Sequence, residues 1–405
     1  MTALFTAIYT DKFLNLRSNL KLMNVILFDG EQRGNLLPLT FTKPVGALRM
    51  GILTFAERWE KLLNTTVSYL TQDYLQGKFQ PQITANNLFI NPSFFPSKEL
   101  VQAIQTLESG QKLIWNDKVI AAKSESFESI SDLEAVTFAS ELIEIAYPWD
   151  IFTHNFHAIE YDYDLLTAGR VSQPISETNR VLNADRIFLE EGAKVEFAIL
   201  NASEGPIYIG QDAEIMEGSM IRGGLALCEH AKINMGSKIY AGCTVGPHCK
   251  VGGELNNAIL MAYSNKGHDG FLGNAVIGEW CNLGADTNNS NLKNNYSEVK
   301  QWNYPAGKFV KTGLQFCGLI MGDYSKSAIN TQFNTGTVVG VSANIFQGGF
   351  PPNLIAHFSW GGPKDAPKFA LDRAYEAAEK MMERRKVPFT EEDKKILEYI
   401  FNINN

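Results

Sequence analysis

Aliphatic residues return at every sixth position between Ile209 and Val251: Ile209, Ile215, Ile221, Leu227, Ile233, Ile239, Val245 and Val251. Four places after these lie Ala213, Ser219, Leu225, Ala231, Ser237, Cys243 and Cys249, all small except Leu225. The beat returns as Phe271, Ile277 and Leu283, with Ala275, Cys281 and Thr287 as the small partners. A weaker run follows as Met321, Ser327, Phe333, Val339 and Ile345, with Ser325, Thr331, Thr337 and Ala343. A period of six fits neither the helical 3.6 nor the strand period of 2. It marks a hexapeptide β-helix, in which each hexad forms one short side of a coil. The aliphatic residue points inward and stacks on its equivalents in neighbouring coils, and the small residue fits where the wall bends. One coil cannot bury its own aliphatic edge, so stability requires several in a stack.

The N-terminal part has a different rhythm. Asn24–Phe28 reads as a buried strand ending at Asp29-Gly30, and Val67–Leu70, Asn87–Ile90, Lys112–Trp115, Lys118–Ala122 and Ile143–Tyr147 read as further strands. Ile52, Phe55, Trp59, Leu62 and Leu63 fall at helical spacing and predict a helix over 52–63. Ser97 is an N-cap for a helix through Leu107, and Asn116-Asp117 is a hairpin turn signal. Another helix is expected from Pro148-Trp149-Asp150 to Leu166. Strands alternating with helices indicate an α/β layer domain. The expected organisation is an extension over 1–22, an α/β domain over 23–180, a left-handed parallel β-helix over 181–362 with one long break at 286–308, and a helical tail over 363–405. The tail contains a closing helix over 365–386 and a shorter one from Glu391 to Phe401.

Composition narrows the function class. The 405 residues carry a net charge of −8, which argues against nonspecific nucleic-acid binding. No apolar run reaches a membrane span, and residues 1–22 lack a signal-peptide pattern. The five cysteines form no CxxC pair, and an odd number without a framework fits a reducing cytoplasm.

Two stretches hold candidate chemistry. The first is the loop after the opening strand, where nucleotides bind in many α/β sheets. Arg33, Lys43 and Arg49 are its cations, and the amides around Gly30 and Gly34 could hold phosphate. On spacing alone, a surface loop with scattered cations is the preferred account. The second is the break in the β-helix. The hexad count slips by two after Val251, and the slip contains NKGHDGFLG, with His268, followed by the Asn-rich GADTNNSNLKNNYSEVK. Polar residues extruded at one level of a rigid stack suggest a ligand loop.

The pattern Arg33-x-x-Leu36-x-Pro38-Leu39-Thr40-x-x-x-Pro44 resembles the signature loop of sugar-phosphate nucleotidylyltransferases. With TFTKPVGALRMGILT and PWDIFTHN, residues 23–350 resemble a divergent bacterial group of that family, similar to the bifunctional enzyme that acetylates glucosamine-1-phosphate and then uridylylates it. The resemblance implies that Arg33 and Lys43 neutralise a nucleoside triphosphate, UTP in the parent activity, with Gly30 and Arg49 binding substrate. The family lysine usually follows the second proline; Val45 stands there, and Lys43 precedes it. Such an enzyme needs Mg²⁺ across the phosphates, for which Asp150 and Asn155 are the candidates and Asp29 a further carboxylate. For Asp150 a helix cap is the alternative.

The block His268-x-x-Phe271-Leu272-Gly273, with Gly284-Ala285-x-Thr287 and Asn291, resembles the acetyltransferase site of the same enzyme. By that resemblance His268 is the general base for acetyl transfer from acetyl-CoA, and Asn291 contacts the sugar phosphate. Phe271, where the family carries Tyr, and Lys293 are further substrate-binding positions. His230 and His248 lie 18 apart and should stack about one strand spacing from each other, with His268 joining the column once the slip is allowed for. Stacked imidazoles could bind a metal, but two surface histidines and one catalytic one is the preferred account. The overall expectation is a cytoplasmic homotrimeric transferase with both activities, acting on small molecules and not on nucleic acid or membranes. The rivals are a nucleotidylyltransferase whose β-helix only trimerises or regulates it, and a noncatalytic scaffold.

Overall fold

The structure is a computed structural model and describes residues 24–403; the expected extension over 1–22 lies outside them. The chain forms two compact units. The first takes in Pro44–Ala47 and Phe55–Ile145 together with the opening strand, and the second takes in Arg33–Lys43, Leu48–Thr54 and everything from Ala146 onward.

The first unit is built on a six-stranded mixed sheet: β1 (Asn24–Phe28), β2 (Val67–Leu70), β3 (Asn87–Ile90), β4 (Gln111–Trp115), β5 (Lys118–Ser124) and β6 (Glu134–Thr137), in the order β2-β1-β3-β5-β4-β6. β1 is parallel to both its neighbours, and β5 is antiparallel to β3 and β4. Asn116 and Asp117 both adopt left-handed conformations, the geometry a two-residue hairpin demands. Ser97 caps the helix Lys98–Thr106 by accepting from the Leu100 amide at 3.1 Å. The helix Phe55–Leu63 starts three residues later than its apolar spacing suggests, and turns Trp59 and Leu63 into a core with Val25, Leu88, Leu100 and Ile104. The expected strand at Ile143–Tyr147 is reduced to one bridge between Glu144 and Phe94, and β6, with no buried residue, carried no apolar signal.

The second unit is a parallel β-helix. Its coils stack so that Glu214-Ile215, Lys232-Ile233 and Lys250-Val251 pair in register along one face, and Met220-Ile221 with Lys238-Ile239 along another. All eight aliphatics of the six-residue beat are buried in one continuous core, as are Met321, Phe333, Val339 and Ile345 of the weaker run. Each such side chain contributes roughly 1.5–3 kcal/mol by leaving water. In the middle run the inward residue is Leu272 rather than Phe271, which is only half-buried. The chain leaves the stack after Asn289, forms an antiparallel hairpin of Lys300–Asn303 with Lys308–Lys311, and rejoins at Ile320. At the far end the last coil is edged by residues 367–369: Trp360 donates its amide to the Pro367 carbonyl, and Ser359 bridges to Lys368. The helices Leu371–Glu383 and Glu391–Asn402 follow.

The bends of the coils explain two sequence features. Cys243, Cys249 and Cys281 fill the tight small positions, and all five cysteines are buried free thiols. Asp212, His230, His248, Tyr263, Trp280 and Tyr324 all have φ between 53° and 64° and form a column at one bend. His230 and His248 stack with centroids 4.7 Å apart, as the spacing of 18 requires. The column then continues through Tyr263 at 4.9 Å and Trp280 at 4.1 Å, so His268 does not join it. The reason is that the coil from His248 to Tyr263 has 15 residues instead of 18, and two of the three missing residues come out of a different bend, at Gly252-Gly253.

Candidate functional site

That missing pair creates a cavity beside candidate chemistry. Inward residues on successive sides are normally six apart, but from Val251 to Leu255 the step is four, and the bend between them is reduced to Gly252-Gly253. The neighbouring coils keep four-residue bends at Asn234–Ser237 and Gly267–Gly270. A short bend between two long ones leaves a notch. It opens into a cavity of about 500 Å³ lined by Asn234, Met235, His268, Asp269, Asp286, Ile329 and Asn330, with Gly252 and Gly253 in its floor. A Cβ on Gly253 would meet the Gly270 carbonyl at 2.7 Å and the Asp269 Cα at 2.9 Å, so the floor is packed against the turn that carries His268.

His268 and Asp269 are exposed at the lip. The turn is held from both sides: Asn234 Nδ2 donates to the Gly267 carbonyl at 2.7 Å, and Lys266 Nζ donates to the carbonyls of His268 at 2.7 Å and Asp269 at 2.9 Å. The two carboxylates Asp269 and Asp286 share the cavity with the imidazole and make it suited to an ammonium-bearing substrate. The other candidates on this side lie elsewhere. Asn291 Nδ2 donates to Asn274 Oδ1 at 2.8 Å, the Phe271 amide donates to Asn288 Oδ1 at 2.8 Å, and Lys293 Nζ donates to the Glu298 carbonyl at 2.8 Å. None of the three is in the cavity lining. Among the described residues, no group of three His, Cys, Asp or Glu side chains comes together as a metal cage.

The cations of the N-terminal loop are packed within the second unit. Lys43 is buried, with Nζ 2.8 Å from Glu279 Oε1 and 2.9 Å from Asp323 Oδ2. Burial pulls its pKa down, but Asp323 and then Glu279 outweigh that and hold it above the ordinary lysine range. Arg33 donates to the Thr40 carbonyl at 2.9 Å, while Thr40 Oγ1 donates back to the Arg33 carbonyl at 2.8 Å. Arg49 is buried against the Ile52 carbonyl and Cys228 Sγ.

The pair considered for Mg²⁺ has a similar fate. Asp150 Oδ2 accepts from the amides of Ala146 and Tyr147 at 2.9 and 2.8 Å, capping the helix Pro148–Thr167. Asn155 is fully buried, accepting from the Gly51 amide at 2.7 Å and donating to the Gly242 carbonyl at 2.8 Å and Thr244 Oγ1 at 3.0 Å. Two oxygens already satisfied by amides, five residues apart on one helix, do not fit a shared hard cation.

Residues 25–171 match a family described as sugar nucleotidyl transferase. A bifunctional sugar-1-phosphate nucleotidylyltransferase/acetyltransferase of Sulfurisphaera tokodaii is 26% identical over 197 residues, 48% of this chain and 48% of that protein. The bifunctional protein GlmU of Gloeobacter violaceus is 31% identical over 111 residues, 27% of this chain and 23% of its own. GlmU of Trichodesmium erythraeum is 39% identical over 71 residues, 17% and 14% of the two chains. The chain thus spans about half the length, or less, of the curated relatives it matches. The first of these relatives is named for two activities, nucleotidylyltransferase and acetyltransferase, and the other two are named as bifunctional.

Within the first unit a polar cluster lies at the carboxyl ends of β1 and β3, the edge where ligands bind in open α/β sheets. A Cβ on Gly30 would lie 2.4 Å from Asn91 Nδ2, so a side chain there would push the Asn91 amide aside. Asn91 Nδ2 donates to Gln32 Oε1 at 3.2 Å, and Gln32 Nε2 donates to Glu144 Oε1 at 2.6 Å. Lys118 pairs with Glu144 at 2.7 Å and Glu31 at 3.3 Å. Asp29 accepts from the Val45 amide at 2.8 Å and from Thr71. Sequence reasoning singled out Gly30 and Asp29 but missed Gln32, Asn91 and Lys118, which come from strand ends far apart in the chain. On the β-helix it missed Asp269 and Asp286, although the four-residue step at Gly252-Gly253 was the available signal.

Proposed function

We propose that the chain is a sugar-1-phosphate nucleotidylyltransferase of the N-acetylglucosamine-1-phosphate uridylyltransferase type whose β-helix transfers an acetyl group from acetyl-CoA to an amino-sugar phosphate. The observation that carries the second activity is His268 at the lip of the notch beside Asp269 and Asp286. The carboxylates attract the substrate as its ammonium form. The ammonium first releases one proton to solvent, which exposes the nitrogen lone pair; imidazole, the side chain that exchanges protons nearest neutrality, then takes a second proton as the neutral amine attacks the thioester carbonyl. The C–S bond breaks, and coenzyme A leaves as a thiolate that is protonated on release. A homotrimer, with acyl-CoA between neighbouring β-helices, is part of this reading.

The test is thiol release from acetyl-CoA with glucosamine-1-phosphate. His268→Ala should lose roughly 10²–10⁴-fold in rate, the contribution of a positioned base, while nucleotidyl transfer stays intact. An unchanged rate in the variant, or no thiol release by the wild type with any amino-sugar phosphate, ends the reading.

One observation favours a second reading for the N-terminal unit. Lys43 is committed to Glu279 and Asp323, two carboxylates that already neutralise its ammonium. On that reading the unit binds sugar nucleotide without turning it over. Pyrophosphate release from UTP and Mg²⁺ with a panel of sugar-1-phosphates separates the two.

A further inference from the structure

Lys266 occupies a position where a β-helix has every reason to place an aliphatic residue. It pairs in register with Val251, in the column that runs Val195, Ile215, Ile233 and Val251 below it. Leu283 resumes the column one coil later. Its side chain is 1% exposed, inside a stack whose other inward members are almost all apolar. An ammonium taken out of water costs several kcal/mol unless its protons are all engaged. Methionine would fill the same volume without that cost.

The ammonium has three protons and reaches three carbonyl oxygens: His268 at 2.7 Å, Asp269 at 2.9 Å and, more weakly, Gly252 at 3.4 Å. These oxygens come from both sides of the notch, one from its shortened bend and two from the turn that presents His268. Gly270, which closes that turn, has φ 112°, a conformation open to glycine and rarely adopted by other residues.

We propose that Lys266 is a positioning residue for the reaction at His268: from inside the core it draws the carbonyls of residues 268 and 269 inward, and so fixes the imidazole outward at the lip of the notch. This rests on the reading of His268 as the base. The charged form is the one that satisfies all three carbonyls. The charged groups facing the ammonium are Asp269 on its own turn and Asp286 on the next coil. Burial lowers the lysine pKa to about 8, against the opposing pull of Asp269 and Asp286. Above that pH the neutral amine keeps two protons and turns a lone pair toward a carbonyl, which loosens the turn.

The experiment compares Lys266→Met and Lys266→Gln with the wild type in acetyl transfer, thermal melting and amide hydrogen exchange of residues 267–270. With Lys266→Met, kcat should fall at least about 10-fold with the KM for acetyl-CoA within about twofold, the pattern of lost positioning rather than lost binding. The melting temperature should hold or rise, and exchange in the turn should speed up. The wild-type kcat should decline as pH passes about 8, a limb that Lys266→Met lacks. Lys266→Gln, which can still donate to two carbonyls, should fall between the two and replaces the methionine variant should that one fail to fold. A folded variant with wild-type kcat and unchanged turn exchange overturns the role of Lys266 alone. A wild type with no acetyl transfer overturns the reading of His268, and the role of Lys266 in that reaction with it.

Discussion

Lys43 is the residue on which sequence resemblance and structure make opposite demands, so its removal is the most informative perturbation. In the structure its ammonium lies between Glu279 and Asp323, and Thr42 Oγ1 donates to the same Asp323 oxygen at 2.6 Å. The other Asp323 oxygen is taken by the Glu279 amide at 2.8 Å. Asp323 is 2% exposed. Replacing Lys43 by methionine leaves two carboxylates side by side, one of them buried with no cation. Breaking a buried pair in this way costs about 3–5 kcal/mol. For a unit of this size each kcal/mol is worth roughly 2–4 °C, so the melting temperature should fall by about 10 °C. Adding Asp323→Asn and Glu279→Gln removes the stranded charges and should recover most of the loss. Calorimetry on the single and triple variants, with pyrophosphate release measured alongside, is the assay. A single variant melting within about 2 °C of wild type but devoid of nucleotidyl transfer would refute the structural role and return Lys43 to the triphosphate.

Two further outcomes are expected. His357 accepts the Val341 amide at Nδ1 (2.9 Å) and packs against Phe41 at 4.3 Å; burial, with a smaller push from Lys368, lowers its pKa to about 3. An unfolded histidine titrates near 6.5, so between that pH and about 3 the unfolded chain binds a proton that the native state refuses. Stability should therefore fall as pH falls through this window, and His357→Gln should flatten that limb of the melting curve; an identical limb in the variant counts against it. Asp150→Ala removes the cap of the helix Pro148–Thr167 and should cost about 1 kcal/mol, without altering the Mg²⁺ dependence of any nucleotidyl transfer; a change in that dependence would restore Asp150 as a ligand.

What the sequence determined by itself is the part set by repetition and short range. The six-residue beat predicted which side chains from Ile209 to Val251 face inward, because every coil imposes the same alternation of inward aliphatic and tight bend. The Ser97 cap, the Asn116-Asp117 turn and the stacking of His230 on His248 were legible for the same reason, each depending on a fixed local spacing. Where the beat broke, sequence still marked the place, since a step of four between Val251 and Leu255 cannot complete a normal bend.

Only the tertiary structure decided what the break does. It cut the bend beside His268 down to Gly252-Gly253 and kept Tyr263 and Trp280 in the column, so that His268 stands at a notch with Asp269 and Asp286. It placed Leu272 rather than Phe271 inside, and turned Lys266, in sequence a polar residue in a polar loop, into a buried donor beneath the turn. It also engaged Lys43, Arg49 and Asn155 in burial among residues 87 or more positions away. A cation's spacing in a loop does not say which carboxylate or carbonyl will reach it first, because that competition is settled by three-dimensional proximity and by the cost of leaving any buried polar group unpaired.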